Sequence, residues 1–249
     1  MSNLNQPFKN YYHKDFSQNQ LIPANQRNLL ASAILEFIGT DGIASLENLS
    51  QKFWPESSIP SCRRFLKHLE KGGWVEHHFI QVCKQGQLVF TLTAKGAREN
   101  FSQAARKNLM IGLPANSEIK QQMLAQKARM QLEEQLAVEG KRIIEWQNER
   151  QLRRETIRNI KSGISNLLDL NDIADARMTV MSKDGQTYRL EIEIDGEYYG
   201  QMLRTKLETY GKKDKLLLWV TTPNRASRIY KEIALAKITN ISLLIVENI

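Results

Sequence analysis

The feature that most constrains this 249-residue chain is a short segment, residues 188–195, in which apolar and polar side chains alternate strictly. Alternation of this kind is typical of a half-buried β-strand. One face of the strand would carry Leu190, Ile192 and Ile194, and the other face Glu191, Glu193 and Asp195. Acids on one strand face repel each other, so a positive charge is expected nearby. A divalent metal ion held by oxygen ligands is one candidate; a solvated outer face with no role is the alternative.

A second strand is predicted just upstream, at about residues 174–181. An Asp-Gly pair between the two strands predicts a tight hairpin turn. This hairpin brings Asp175 towards the far end of its partner strand, near Glu193 and Asp195. Asp172 lies close enough along the chain to take the place of Asp175. The sequence therefore predicts that carboxylates from two neighbouring strands meet.

A helix is predicted over residues 197–211, and one stripe of it carries Tyr199, Leu203, Lys206, Leu207 and Tyr210. The Lys206 ammonium either reaches water along an apolar stem or lies against the acids. Carboxylates that hold Mg²⁺ or Mn²⁺ beside a lysine suit phosphodiester cleavage, because the metal activates water and positive charge stabilises the reacting phosphate. We therefore expect a metal site made by Asp175, Glu191 and Glu193, which with Lys206 form the catalytic group.

These residues resemble the active-site pattern of the PD-(D/E)xK nuclease-fold superfamily, in which an Asp is followed by a strand carrying Glu-x-Lys. Glu193 stands where that superfamily usually has lysine, and Lys206 on the next helix can be the displaced lysine. Longer runs resemble the replication-relaxation group, which includes the MOB-C class of plasmid mobilisation relaxases. Those runs are Asp175-Ala-Arg, Tyr188-Arg-Leu-Glu-Ile-Glu-Ile-Asp, Lys206-Leu-Glu-Thr-Tyr and Trp219-Val-Thr-Thr.

The resemblance implies a restriction-endonuclease-like domain that nicks one DNA strand at a plasmid transfer origin, using carboxylates and metal in place of the tyrosine of other relaxases. It implies double-stranded DNA as substrate, with accessory mobilisation and coupling proteins as partners. Glu149 can match an acid that approaches the metal in related folds, or it can lie on a helix surface. Two alternatives stay open: another nuclease of this fold, or a DNA-binding regulator of replication or transcription whose nuclease-like domain is inactive.

The composition agrees with a nucleic-acid partner. The net charge is +8 and the pI about 9.4, and a basic chain favours a polyanion. The two cysteines, Cys62 and Cys83, have no metal-ligand spacing and fit a reducing compartment. No apolar run is long enough for a membrane segment or a signal peptide. We therefore expect a cytoplasmic protein.

The N-terminal half predicts a winged helix-turn-helix. Three predicted helices between residues 25 and 71 precede two predicted strands between residues 74 and 92, which is the order of that fold. Basic side chains on the third helix and at the hairpin tip are expected to contact DNA: Arg63, Arg64, Lys67 and Lys84. A winged helix that binds protein only is the alternative.

The whole chain is therefore predicted to be α+β, with an N-terminal winged helix-turn-helix and a C-terminal α/β restriction-endonuclease-like domain. Residues 1–23 are polar and predict a flexible arm, and residues 24–108 the winged helix. Residues 109–147 are predicted to be a helical linker, because helix-favouring charged residues dominate from about residue 117 to residue 158. Residues 148–249 would form the PD-(D/E)xK-like nuclease domain.

Overall fold

The computed structural model describes residues 24–57, 59–82, 85–164, 173–213 and 215–247. The chain divides into two compact units, one ending at Pro114 and the other beginning at Ala115. Each unit combines helices with strands, so the protein is mixed α+β as predicted. The predicted arm, Lys84, Cys83 and Asp172 lie outside the described residues. Among the described helices, none combines the length and apolar character needed to cross a membrane.

In its described residues, the first unit contains three helices, a small sheet and two further short helices. Its elements are α1 (Ala24–Asp41), β1 (Ala44–Ser45), α2 (Leu46–Phe53), α3 (Ile59–Lys71), β2 (Val75–Val82), β3 (Gln85–Leu92), α4 (Ala94–Asn100) and α5 (Gln103–Arg106). The strands pair antiparallel in the order β1-β3-β2. Helices and hairpin thus follow one another in the predicted order.

Local sequence accounts for the ends of these elements. The Ser45 side chain accepts a hydrogen bond from the Asn48 backbone N–H at 3.0 Å, which caps the N-terminus of α2. α4 approaches the start of β2 very closely, and only glycine fits at the contact. A Cβ atom at Gly96 would lie 2.2 Å from the Trp74 carbonyl oxygen. That glycine therefore fixes how α4 packs against the hairpin.

The second unit is built on a five-stranded mixed sheet. Its elements are α6 (Asn116–Val138), β4 (Arg142–Asn148), α7 (Glu149–Lys161), β5 (Ala176–Met181), β6 (Thr187–Ile194), α8 (Gly200–Gly211), β7 (Leu217–Thr221), α9 (Pro223–Leu235) and β8 (Ile241–Ile245). The strands lie in chain order, antiparallel from β4 to β6 and parallel from β6 to β8. Parallel neighbours need a crossover, and α8 and α9 supply the two crossovers.

Strand β6 has the two faces that its alternation predicts. Ile192 and Ile194 are fully buried in a core that includes four side chains of α6: Leu124, Ala128, Leu132 and Leu136. The opposite side of the sheet packs against α8 and α9 through a second core around Trp219. The acids of β6 therefore face the layer that contains α8 and α9.

The structure corrects the prediction of helix over residues 142–148. This segment is the edge strand β4, and its Trp146 is buried in the core beneath α6. The β4–β5 register shifts between Ile143 and Glu145, which interrupts the alternation that marks a strand. Pairing with β5 overrides the helix propensity of the charged residues around it. α6 and β4, both within the interval predicted as a linker, lie in the second unit.

Candidate functional site

The β5–β6 hairpin brings Asp175 and Glu193 together. Ala176 pairs with Ile192 in antiparallel register, so extending the register by one residue sets Asp175 opposite Glu193. The backbone N–H of Ile194 donates a hydrogen bond to Asp175 Oδ2 at 2.7 Å. This bond anchors the carboxylate at the end of β6, where the sheet changes from antiparallel to parallel pairing.

The Asp175 carboxyl lies where ionisation is unfavourable. Its Oδ1 accepts a hydrogen bond of 2.6 Å from the side-chain amide of Gln121 on α6. Burial raises the pKa of Asp175 to about 7, and the charge of Glu193 adds to that rise, although hydrogen bonds and Lys206 oppose it. A carboxyl with a pKa near neutrality can hold or release a proton under physiological conditions.

Glu193 is only 1% exposed, and donors from α8 meet both of its oxygens. Lys206 forms a salt bridge with Oε1, and the Tyr210 hydroxyl donates to Oε2 at 2.5 Å. Lys206 also donates to the Tyr198 hydroxyl at 2.7 Å. Of the two positions that the sequence left open for the Lys206 ammonium, the structure has the one against the acids.

The ion pair between Lys206 and Glu193 affects the pKa of both residues. Burial raises the pKa of Glu193, and the opposing effect of Lys206 does not cancel that rise. Burial alone would lower the pKa of Lys206, but the charge and hydrogen bond of Glu193 outweigh it and raise the pKa. Lys206 therefore stays charged, and it is the cation closest to the carboxylate pair in the described contacts.

Glu191 belongs to a separate ion network. Arg177, not Asp175, stands opposite Glu191 in the hairpin register. The Glu191 Oε1 accepts hydrogen bonds from Arg177 at 3.1 Å and from Lys215 at 2.8 Å. Burial raises the pKa of Glu191, but Lys215 and Arg177 outweigh that effect and hold the pKa below its ordinary value. In this register Glu193 is the direct neighbour of Asp175 across the hairpin, and Glu191 is a diagonal neighbour, which lies about 7–8 Å away in such pairs.

Asp195, the third acid of β6, is bound by α9. Arg225 donates to both of its oxygens, through Nε to Oδ2 and through a terminal nitrogen at 3.0 Å to Oδ1. The Thr221 hydroxyl donates to Oδ2 at 2.9 Å. Both oxygens of Asp195 are thus bound by Arg225 in a bidentate contact.

Glu149, the remaining candidate acid, begins α7 and pairs with Arg153 at 2.7 Å, as a helix-surface residue does.

The Asp175–Glu193 pair has the chemistry to hold one divalent ion. No group of three or more His, Cys, Asp or Glu side chains able to bind a metal occurs in the described part of the chain. Two carboxylates suffice for Mg²⁺, which commonly keeps water and phosphate oxygens as its other ligands. Each carboxylate oxygen has a second lone pair beyond its present hydrogen bond. Adjacent carboxyls with raised pKa values are also the groups that a cation would stabilise.

A basic surface lies on α3 in the first unit. Arg63, Arg64 and Lys67 are exposed on the side of α3 opposite its buried residues. Together with Ile59 and Pro60 they line a surface depression of about 320 Å³. The structure therefore brings together three of the four predicted DNA-contacting residues, and the fourth, Lys84, lies outside the described residues.

Sequence reasoning missed three side chains of the candidate site. Gln121 lies 54 residues before Asp175, and Arg225 lies 30 residues after Asp195, so no local spacing connects either residue to its partner. Tyr198 lies in the loop before α8 and contacts Lys206 through its hydroxyl. No sequence signal marks a loop tyrosine as part of an ion-pair cluster.

Comparisons of the chain with protein-family models, curated proteins and solved structures give no match.

Proposed function

We propose that the protein is a metal-dependent DNA endonuclease that nicks one strand at a specific site, in the manner of the MOB-C class relaxases that it resembles. The observation that carries the proposal is the pair of carboxylates on adjacent strands, Asp175 and Glu193, with the Lys206 ammonium against it. We assign Glu193 as the second metal ligand in place of Glu191, because Arg177 and Lys215 occupy Glu191.

Each residue of the site has a role in phosphodiester cleavage. Asp175 and Glu193 would hold Mg²⁺ or Mn²⁺, which supplies Lewis acidity when bound. Lys206 can turn from Glu193 towards a phosphate oxygen and stabilise the charge that develops there. Gln121 and Tyr210 orient the two carboxylates through hydrogen bonds.

The first unit supports DNA recognition within this proposal. Three helices followed by an antiparallel hairpin is the element order of a winged helix, and α3 is its third helix. We propose that Arg63, Arg64 and Lys67 bind DNA phosphates or base edges from that helix. The net charge of +8 favours the same partner. Accessory mobilisation and coupling proteins would be further partners of a relaxase.

A non-catalytic DNA-binding regulator is the second candidate, and one observation favours it. Each oxygen of Asp175 and Glu193 already accepts a hydrogen bond or ion pair from the protein. Such a satisfied cluster can be structural. Metal-dependent cleavage distinguishes the two candidates, because only the nuclease needs the carboxylates to accept a further ligand.

A nicking assay tests the proposal. The substrate is a supercoiled plasmid that carries the DNA flanking the coding gene, incubated with Mg²⁺ or Mn²⁺. The wild-type protein should convert it to open circles, and Asp175→Ala should abolish this conversion while it still binds DNA. Asp184→Ala, an exposed acid in the turn of the same hairpin, is the matched control and should nick normally. Linear product would indicate another nuclease of this fold, and no cleavage with either metal would favour the regulator.

A further inference from the structure

We propose that Tyr199, with Arg225 and Arg228, forms a stacking site for an unpaired base of single-stranded DNA next to the candidate active site. This inference rests on the proposed function and deepens it, because it names the form of DNA that the site holds. The strand to be cut would be bound there unpaired, not as part of a duplex.

The first observation is an exposed aromatic ring flanked by two guanidinium groups. Tyr199 lies just before α8 and is 60% exposed. The Arg225 guanidinium carbon is 4.7 Å from the centroid of its ring, and that of Arg228 is 5.3 Å away. Binding of single strands combines these two features, since bases stack on aromatic rings while arginines attract the phosphates. A base inside a duplex has both faces covered by its neighbours, so only an unpaired base can stack here.

The second observation is that one of the two arginines is held rigidly. Arg225 binds both oxygens of Asp195 and also donates to the Tyr198 carbonyl oxygen at 2.7 Å. Its guanidinium plane beside Tyr199 is therefore fixed before any ligand arrives, which lowers the entropy lost on binding. Arg228 is exposed, and no carboxylate in the described ranges forms a salt bridge with it. Its charge is available to a phosphate.

The third observation is the position of this cluster beside the carboxylate pair. The residue before Tyr199 is Tyr198, whose hydroxyl accepts a hydrogen bond from Lys206. Arg225 reaches the same strand face through Asp195, two residues after Glu193. Tyr199 is thus linked to the site by its chain neighbour Tyr198 and by the guanidinium of Arg225.

Anisotropy of a short fluorescein-labelled oligothymidylate tests the site in the full-length protein, with EDTA present so that no cleavage occurs. Tyr199→Ala should weaken binding roughly 5- to 150-fold, which is the range for loss of one base–aromatic stack. Tyr199→Phe keeps the ring and should bind like the wild-type protein. Tyr230→Ala is the matched control, because Tyr230 is a 52% exposed tyrosine of the same unit on α9.

The inference is overturned if Tyr199→Ala binds the oligothymidylate as the wild-type protein does, if Tyr230→Ala loses as much, or if the wild-type protein does not bind it. Binding of duplex DNA should be the same in all four proteins, and an equal loss there would also overturn it. The outcome is separate from that of the nuclease proposal. Tyr199-dependent binding without nicking would refute the nuclease alone, and nicking with Tyr199-independent binding would refute the stacking site alone.

Discussion

Replacing Asp175 with asparagine should make the protein more stable at neutral and alkaline pH. Asparagine keeps the shape of the side chain and an oxygen that can accept the Ile194 N–H, but it removes a negative charge beside Glu193. The Gln121 amide can rotate to present its oxygen to the new NH₂ group. The Asp175→Asn variant therefore has no ionised side chain at this position whose burial would lower its stability.

The size of the stability gain and its pH dependence follow from the raised pKa of Asp175. The pKa is about 7 in the folded protein against an ordinary value of 3.8. Because the pKa of Asp175 is higher in the folded than in the unfolded chain, its contribution to stability is fully present at low pH, where this carboxyl is protonated in both states. The wild-type protein then loses this stability as the pH rises from the unfolded pKa to the folded pKa. A difference of about 3 pH units corresponds to about 4 kcal/mol. Solvent screening at this part-buried position reduces that figure, so we expect a gain of about 2–4 kcal/mol above about pH 8.

Urea unfolding followed by circular dichroism, from about pH 4 to about pH 8, measures this effect. The free energies of unfolding of the two proteins should be similar near pH 4, diverge between about pH 4 and about pH 7, and differ by a constant amount at higher pH. Asp184→Asn is the control: hydrogen bonds from Ser182 and Gln186 lower the pKa of Asp184, so its removal should give no gain at high pH. An Asp175→Asn protein no more stable than the wild type at about pH 8 would refute the inferred burial of charge.

Three further substitutions probe the ion pairs and the basic helix. Lys206→Met removes the partner of the buried Glu193 and should lower the free energy of unfolding at neutral pH by about 3–5 kcal/mol, measured by urea denaturation. In the protein that remains folded, nicking should fall roughly 10²-fold or more. Unchanged stability and unchanged nicking would exclude both the structural and the catalytic role of Lys206. Glu191→Gln should lower thermal stability but keep nicking, since its partners are cations outside the carboxylate pair; abolished nicking would contradict that assignment. Arg63→Ala should weaken binding to all duplex sequences and reduce the salt slope by about 0.9 in a titration of binding against salt, whereas an unchanged slope would exclude a phosphate contact.

Local patterns were sufficient to predict the β5–β6 hairpin and helix α8 of the second unit. The Asp-Gly turn and the strict alternation predict the β5–β6 hairpin, and apolar spacing predicts α8 with Leu203, Leu207 and Tyr210 buried. Each of these signals depends on residues close in sequence. The prediction fails at the start of α8, which begins at Gly200 instead of residue 197. Tyr199 therefore lies before the helix and is exposed, although the stripe predicts it to face inward.

The identity of the acid beside Asp175 depends on information that the sequence pattern lacks. Glu191 and Glu193 are alike in type and lie on the same strand face, so composition and spacing do not distinguish them. The distinction comes from single-residue register and from distant cations, with Lys215 at Glu191 and Lys206 at Glu193. The edge strand β4 was missed for a related reason, because its pairing with β5 is a contact made only in the folded chain.

The cations around β6 also bear on how the chain avoids a wrong fold. Because side chains alternate along a strand, a slip of one residue in the pairing of β6 would turn all of its acids towards the apolar layer beneath α6. Lys206, Arg225 and Lys215 come from three separate places in the chain, and none of them could follow the acids to that side. Unpaired carboxylates in an apolar layer are strongly unfavourable. The same charges that make this strand face suitable for chemistry thus separate the native pairing from its nearest competitor, and they direct the hairpin to a single register.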